Sequence, residues 1–258
     1  MKNLIRDRLT EIERAHSVRV LYACESGSRA WGFESADSDY DVRFIFVHER
    51  DGYLSLDEPK ASFDYPIDSD LIDLSGWELR KSLQLFGQSN ATLLEWLHSP
   101  LAYYEDASAL KLWRHLATEA FSPKAVAGHY YGLCRKIWTG MVETGHYTAK
   151  KYLYAMRAAC AKAFVTQGGG LVPVRFSELL ERVPLSDEVV ATVNRMVEEK
   201  FSGSESDVIS SNVCLDRYIV GQMESWENDV RLLPSVKVES GKLDQFFRKQ
   251  LYERIHPS

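Results

Sequence analysis

The chain has 258 residues, 45% of them apolar, 12% aromatic and 26% charged, which excludes disordered, collagen-like and low-complexity proteins and leaves one or two folded domains. Four well-separated cysteines, Cys24, Cys134, Cys160 and Cys214, form no CxxC pair. They read as apolar fillers in a cytoplasmic protein; no signal peptide is expected, because the N-terminus MKNLIRDRLTEIER has no apolar run, and no membrane span, because no apolar run approaches about 18 residues. The net charge of −6 argues against a polyanion-coating role, but residues 1–100 hold 11 Lys+Arg against 18 Asp+Glu while the remainder holds 20 against 19. Within the second half, residues 124–162 carry Lys124, Arg135, Lys136, Lys150, Lys151, Arg157 and Lys162 against Glu143 alone, a local charge of +6.

In chain order, residues 4–16 have the period of an amphipathic helix, and Val18–Cys24 is a short apolar run of strand character. Turn chemistry follows at Glu25-Ser-Gly-Ser28. Tyr40–Val47 is a second strand, alternating at first and then continuously apolar as in a sheet interior. A third strand is expected at Asp70–Leu74, ended by Ser75-Gly76. From Trp77 onward the 3.6-residue period takes over, with helices expected at 77–88, 91–98, 107–120, 123–141, 147–166, 186–201, 211–231 and 242–255. Gly168-Gly-Gly170 with Pro173, and the stretch Ser202–Asp207, mark loops between them. The fold class is therefore α/β (α+β): a small mixed sheet with flanking helices over residues 1–105, followed by an all-helical domain over 106–258 that is expected to form the other side of a cleft.

Chemistry concentrates in Gly27-Ser-Arg-Ala-Trp-Gly-Phe-Glu-Ser-Ala-Asp-Ser-Asp-Tyr-Asp-Val-Arg43. In a strand, residues i and i+2 share a face, so Asp39 and Asp41 project together, roughly 6–7 Å apart along the backbone. An unneutralised pair of this kind repels, and an oxygen-only site suits Mg²⁺, which takes one or two carboxylates plus substrate phosphates. Gly27 lets backbone amides approach an anion. Ser28, opening the next short helix, offers a hydroxyl and a favourable dipole to phosphate. Two other readings compete. An EF-hand calcium loop starting at Asp37 fails because Val42 stands where Gly is needed and His48 where Glu is needed. A solvated strand edge, with Asp37 or Ser38 as a cap, explains the acids alone but not the preceding Gly-Ser.

Gly-Ser, ten residues, then Asp39-Tyr-Asp41 resembles the signature of the DNA polymerase β-like nucleotidyltransferases. The wider set is similar to the family of that fold named for an RNA-repair pathway: Gly27–Phe33, Ser38–Arg43, Gly76-Trp-Glu-Leu-Arg-Lys81, Leu94-Glu-Trp-Leu-His-Ser-Pro100 and Lys150-Lys-Tyr-Leu-Tyr-Ala-Met-Arg157. The resemblance runs from residue 27 to about 176. It implies Mg²⁺ (or Mn²⁺), two ions, and a nucleoside triphosphate donor, with Asp39 and Asp41 as metal ligands and Gly27, Ser28, Arg29 and Ser38 beside the nucleotide. It also implies a third carboxylate on a later strand, for which Asp64, Asp68, Asp70 and Asp73 are candidates. Asp73, between Ile72 and Leu74, has the apolar–acid–apolar pattern of a central strand and is the choice over Asp70; it would serve as metal ligand and proton acceptor.

On helix 147–166, Leu153, Met156, Cys160 and Phe164 form a buried stripe, which leaves Lys150, Lys151 and Arg157 on other faces. Either they form a solvated basic surface, or they contact the triphosphate or nucleic acid. The function expected is transfer of a nucleoside monophosphate from an NTP to a hydroxyl, with RNA as first choice of acceptor. A protein side chain or small hydroxylated molecule is the alternative acceptor, and a nucleotide-binding regulatory pseudoenzyme the alternative class.

Overall fold

The computed structural model describes residues 1–202 and 208–252. It is a mixed α+β protein with one five-stranded mixed sheet and, among the described residues, twelve α-helices. The chain divides into two compact units. One comprises Met1–Ala30, Asp39–Ala120 and the chain from Lys237 onward; the other comprises Trp31–Ser38 and Phe121–Val236.

In the first unit, α1 (Lys2–His16) leads into β1 (Val18–Glu25), and α2 (Gly27–Trp31) separates it in sequence from β2 (Tyr40–His48). Then come a 3-10 turn at Arg50–Leu54, β3 (Ser62–Tyr65), β4 (Ile72–Glu78), α3 (Leu79–Gly87), α4 (Ala91–Leu97), β5 (Ala102–Glu105) and α5 (Ala107–Ala120). The sheet order is β3-β4-β2-β1-β5, with β2 and β4 parallel and the other neighbours antiparallel. On one face Ile5, Leu9 and Ile12 of α1 bury against Val42, Phe44, Phe46, Phe63, Ile72 and Leu74. The strand period of two sends the alternate residues of β2 and β4, Asp41, Arg43, Asp73 and Ser75, to the opposite face. Helices α3, α4 and α5 pack against β1, β2 and β4, and Trp77 of β4 meets Trp96 of α4 with ring centroids 4.1 Å apart.

The strand expected to end at Ser75-Gly76 runs on to Glu78, and the helix expected from Trp77 starts at Leu79. Gly76 is a strand residue: a Cβ there would lie 2.2 Å from the Phe44 ring, so the missing side chain makes room for that ring. Strands β3 and β5 carry only four residues each and one fully buried position, too few to show a period.

The second unit holds α6 (Pro123–Thr144), α7 (Ala149–Thr166), α8 (Phe176–Glu181), α9 (Asp187–Ser202), α10 (Val213–Glu224) and α11 (Trp226–Leu232). The last helix, α12 (Ser240–Tyr252), belongs to the first unit, where Phe246 meets Trp113 of α5. The six-residue α8 is unforeseen in the sequence. The helix expected over 211–231 is two helices meeting at Ser225, whose hydroxyl donates to Asp229 Oδ2 at 2.8 Å. Of the loop expected at Ser202–Asp207, residues 203–207 lie outside the described residues, as do 253–255 of the last expected helix.

Helix α7 corrects a sequence expectation. Its stripe of Leu153, Met156, Cys160 and Phe164 is buried, but so is nearly every residue from Tyr152 to Val165. Arg157, expected on an outward face, is 2% exposed, with its guanidinium 4.2 Å from the Trp31 ring centre and Nη2 donating to the Val174 carbonyl at 3.3 Å. Lys162 is buried too; its ammonium donates to Gln222, Ser225 and Asp229. Both cations therefore do packing work. Arg157→Ala removes a buried cation–π contact and leaves a cavity, so it is expected to lower the urea-unfolding free energy by about 2–4 kcal/mol; a loss under about 0.5 kcal/mol would mark Arg157 as surface.

Candidate active site

The site is built where β1 ends and β2 begins. The Ser26 amide donates to the Asp41 carbonyl at 2.9 Å, which ties the turn to the neighbouring strand. Gly27 has φ +59°, and a Cβ on it would fall 2.0 Å from Asp41 Oδ2. Glycine is thus favoured twice at this position, for its backbone and for the carboxylate lying against it. Ser28 is buried, in a helix of only five residues. Arg29 Nε donates to the Asp39 carbonyl at 3.0 Å, and its guanidinium stacks 3.9 Å from the Tyr40 ring centre. Asp39, half-buried, directly precedes β2.

Parallel pairing of β2 and β4 sets Asp41 opposite Asp73. Neighbouring strands are about 5 Å apart, so two bare carboxylates there repel by roughly 3 kcal/mol at an effective dielectric near 20. Arg43, two residues along β2, answers that repulsion: Nη2 donates to Asp41 Oδ1 at 2.7 Å and Asp73 Oδ2 at 2.8 Å. Its Nη1 donates to the carbonyls of Val42 (3.2 Å) and Asp73 (3.1 Å). The other acids of this region lie elsewhere. Asp64 accepts from Ser75 Oγ, while Asp68 and Asp70 lie near Arg8 at 3.5 and 3.6 Å.

Sequence reasoning missed Glu25, reading it as the start of a turn. It is the last residue of β1 and 1% exposed. Its Oε1 accepts the Asp41 amide at 2.8 Å, its Oε2 accepts the Tyr103 hydroxyl, and its carbonyl accepts Ser99 Oγ at 2.7 Å. Burial pushes its carboxyl up to about 7, opposed by the bonds from Tyr103 and the Asp41 amide and by the Arg29 charge. A carboxylate closing an apolar strand just before Gly-Ser was the one signal available.

In the second unit Ser38, expected beside the nucleotide, is buried. Its hydroxyl bonds with the Ser35 hydroxyl at 2.8 Å and accepts the Ser35 amide at 2.9 Å, and Lys200 Nζ lies 3.5 Å away. Lys150 and Lys151 are half-buried in the first turn of α7, which Thr148 caps, and Lys151 Nζ donates to the His146 carbonyl at 2.9 Å. Of the predicted site residues, the structure therefore gathers Gly27, Ser28, Arg29, Asp39, Asp41 and Asp73 around one turn and one strand pair, Ser28 with a buried side chain, and buries Ser38 and Arg157 in the second unit.

The family model described as "RNA repair pathway DNA polymerase beta family" (RlaP) matches residues 1–249. The chain belongs to that family. It is 39% identical over 224 residues, 87% of this chain and 86% of the other, to a relative titled "Uncharacterized protein YcgL" from Bacillus subtilis (strain 168). A nucleotidyltransferase-like protein from Exiguobacterium sibiricum 255-15, known from a crystal structure, aligns with TM-score 0.33 and 12% identity over 100% of this chain and 82% of that one. Family membership makes this chain a polymerase β-like nucleotidyltransferase, the class its motifs resemble. Among the described residues no helix is long and apolar enough to cross a membrane.

Among the described residues no three His, Cys, Asp or Glu side chains converge closely enough to cage a metal ion. The donor chemistry of this RlaP-family site nonetheless fits magnesium, which needs only one or two carboxylates when substrate phosphates supply the rest. Asp41 and Asp73 provide such a pair, with the Arg43 guanidinium bonded to both. Two outcomes follow from the geometry. Gly27→Ala, forced into a positive φ and against Asp41, is expected to cost about 1–3 kcal/mol, and less in an Asp41→Ala background; equal costs in both backgrounds would remove the contact. The Glu25 carboxyl, raised from 4.5 to about 7 on folding, contributes stability that is complete below about pH 4.5 and lost as pH rises through about 7. In EDTA, the wild type should therefore lose on the order of 3 kcal/mol relative to Glu25→Gln across that window, and parallel pH profiles would contradict this.

Proposed function

We propose that this protein transfers a nucleoside monophosphate from a nucleoside triphosphate to an RNA hydroxyl and releases pyrophosphate. The observation carrying the reading is the pairing of Asp41 with Asp73 across two parallel strands, with the Gly27 turn against the Asp41 carboxylate. Asp39, Asp41 and Asp73 would hold Mg²⁺ or Mn²⁺, two ions, whose chemistry is to neutralise the phosphates and the leaving pyrophosphate. The chain's own part is positional and protolytic. Gly27, Ser28 and Arg29 receive the triphosphate, and Asp73 takes the proton of the attacking hydroxyl. The new bond joins that oxygen to the α-phosphorus, the bond from the α-phosphorus to the bridging oxygen breaks, and pyrophosphate departs.

RNA is preferred as acceptor because Lys124, Arg135, Lys136, Lys150 and Lys151 are exposed or half-buried in the second unit, and phosphate contacts dominate nucleic-acid affinity. One observation favours the alternative acceptor, a protein side chain or small hydroxylated molecule: Arg157 and Lys162 are buried, which removes two of the seven cations of segment 124–162 from that surface.

Incubating the pure protein with each α-labelled nucleoside triphosphate, Mg²⁺ and a total cell extract should place label in ribonuclease-sensitive material. Label on protein or small molecules with unmodified RNA would move the acceptor to the alternative class. Asp39→Asn and Asp41→Asn are each expected to reduce transfer at least about 10²-fold without unfolding the protein. Normal turnover by either would remove the carboxylates from the chemistry.

A further inference from the structure

Arg43 closes the Ser38–Arg43 motif with no role assigned to it by the sequence, yet its contacts define the site. Its side chain is 17% exposed and spends one end of the guanidinium on Asp41 Oδ1 and Asp73 Oδ2, the other on the Val42 and Asp73 carbonyls. The fork thus spans both parallel strands and supplies a positive charge to both carboxylates at once. A divalent ion shared by Asp41 and Asp73 would need the same two side chains.

We propose that Arg43 is a positioning residue that competes with a divalent cation for the Asp41–Asp73 pair: it holds the two carboxylates together in the ion-free protein and yields them when the ion binds. This rests on the metal-dependent reading above. Two cations that neutralise one pair of acids are negatively coupled, and the coupling is reciprocal, so whatever weakens the guanidinium's hold strengthens the ion's. The pair is never left bare, and the ion meets carboxylates already in register.

The test uses the full chain without nucleotide, with Mn²⁺ as probe read by electron paramagnetic resonance of the free ion, and melting curves in EDTA and in saturating Mn²⁺. Arg43→Met should bind Mn²⁺ roughly tenfold more tightly than wild type. It should also melt lower in EDTA, with the gap closing in saturating Mn²⁺. Arg43→Gln keeps hydrogen-bond donors without the charge and should show the same tightening, which keeps the test available should the Met variant not fold. Arg43→Lys keeps the charge and should bind no more tightly than wild type. Equal or weaker Mn²⁺ binding by the Met and Gln variants, with binding abolished by Asp41→Asn, would overturn the competition and leave the metal reading standing. No Mn²⁺ binding by wild type or any variant would overturn both.

Discussion

Two like charges held one strand apart are the constraint from which the first unit follows. Parallel pairing of β2 with β4 puts Asp41 and Asp73 at one register position, and two neighbours lower the cost of that arrangement. Arg43 bridges the two carboxylates and two carbonyls. Gly27 offers no side chain where Asp41 Oδ2 must lie. Glu25, buried at the same strand junction, accepts the Asp41 amide and the Tyr103 hydroxyl and so fixes the backbone from which Asp41 projects. An apolar pair at such a register would need no compensating cation, whereas these half-buried acids rely on Arg43.

What the sequence reveals here is local. The i, i+2 rule is read from the sequence for Asp39 and Asp41 without knowledge of the partner strand, though Asp39 directly precedes β2 rather than lying in it, and Gly27 declares itself by standing in a turn before them. The apolar–acid–apolar pattern distinguishes Asp73 from Asp70, and the structure sets Asp73 opposite Asp41 and Asp70 beside Arg8. Register is not local. That Asp73 meets Asp41, and that Arg43 lies between them, depends on a parallel pairing between strands some thirty residues apart, and a parallel connection leaves no turn motif to read. Glu25 was hidden for a different reason: a carboxylate next to Ser-Gly-Ser has the composition of a surface turn, and only the Tyr103 and Asp41 bonds show it to be interior.

Helix α7 shows the limit of periodicity in another way. A wheel with one apolar stripe assumes one buried face and one wet face, but a central helix is buried on all sides and places its polar residues against internal partners. Arg157 on Trp31 and the Val174 carbonyl, and Lys162 on Gln222, Ser225 and Asp229, are such cases. Lys200, on α9, does the same with the Phe33 carbonyl at 2.9 Å. The charge count of segment 124–162 therefore overstates what that unit can offer to a polyanion.

The most direct test of nucleotidyl transfer follows the two ends of the nucleotide separately. Attack at the α-phosphorus predicts that label from an α-labelled nucleoside triphosphate enters the acceptor while label from the γ-labelled nucleotide leaves in pyrophosphate, in equal amounts. Entry of γ-label into the acceptor, or its release as inorganic phosphate with no α-label transferred, would contradict it.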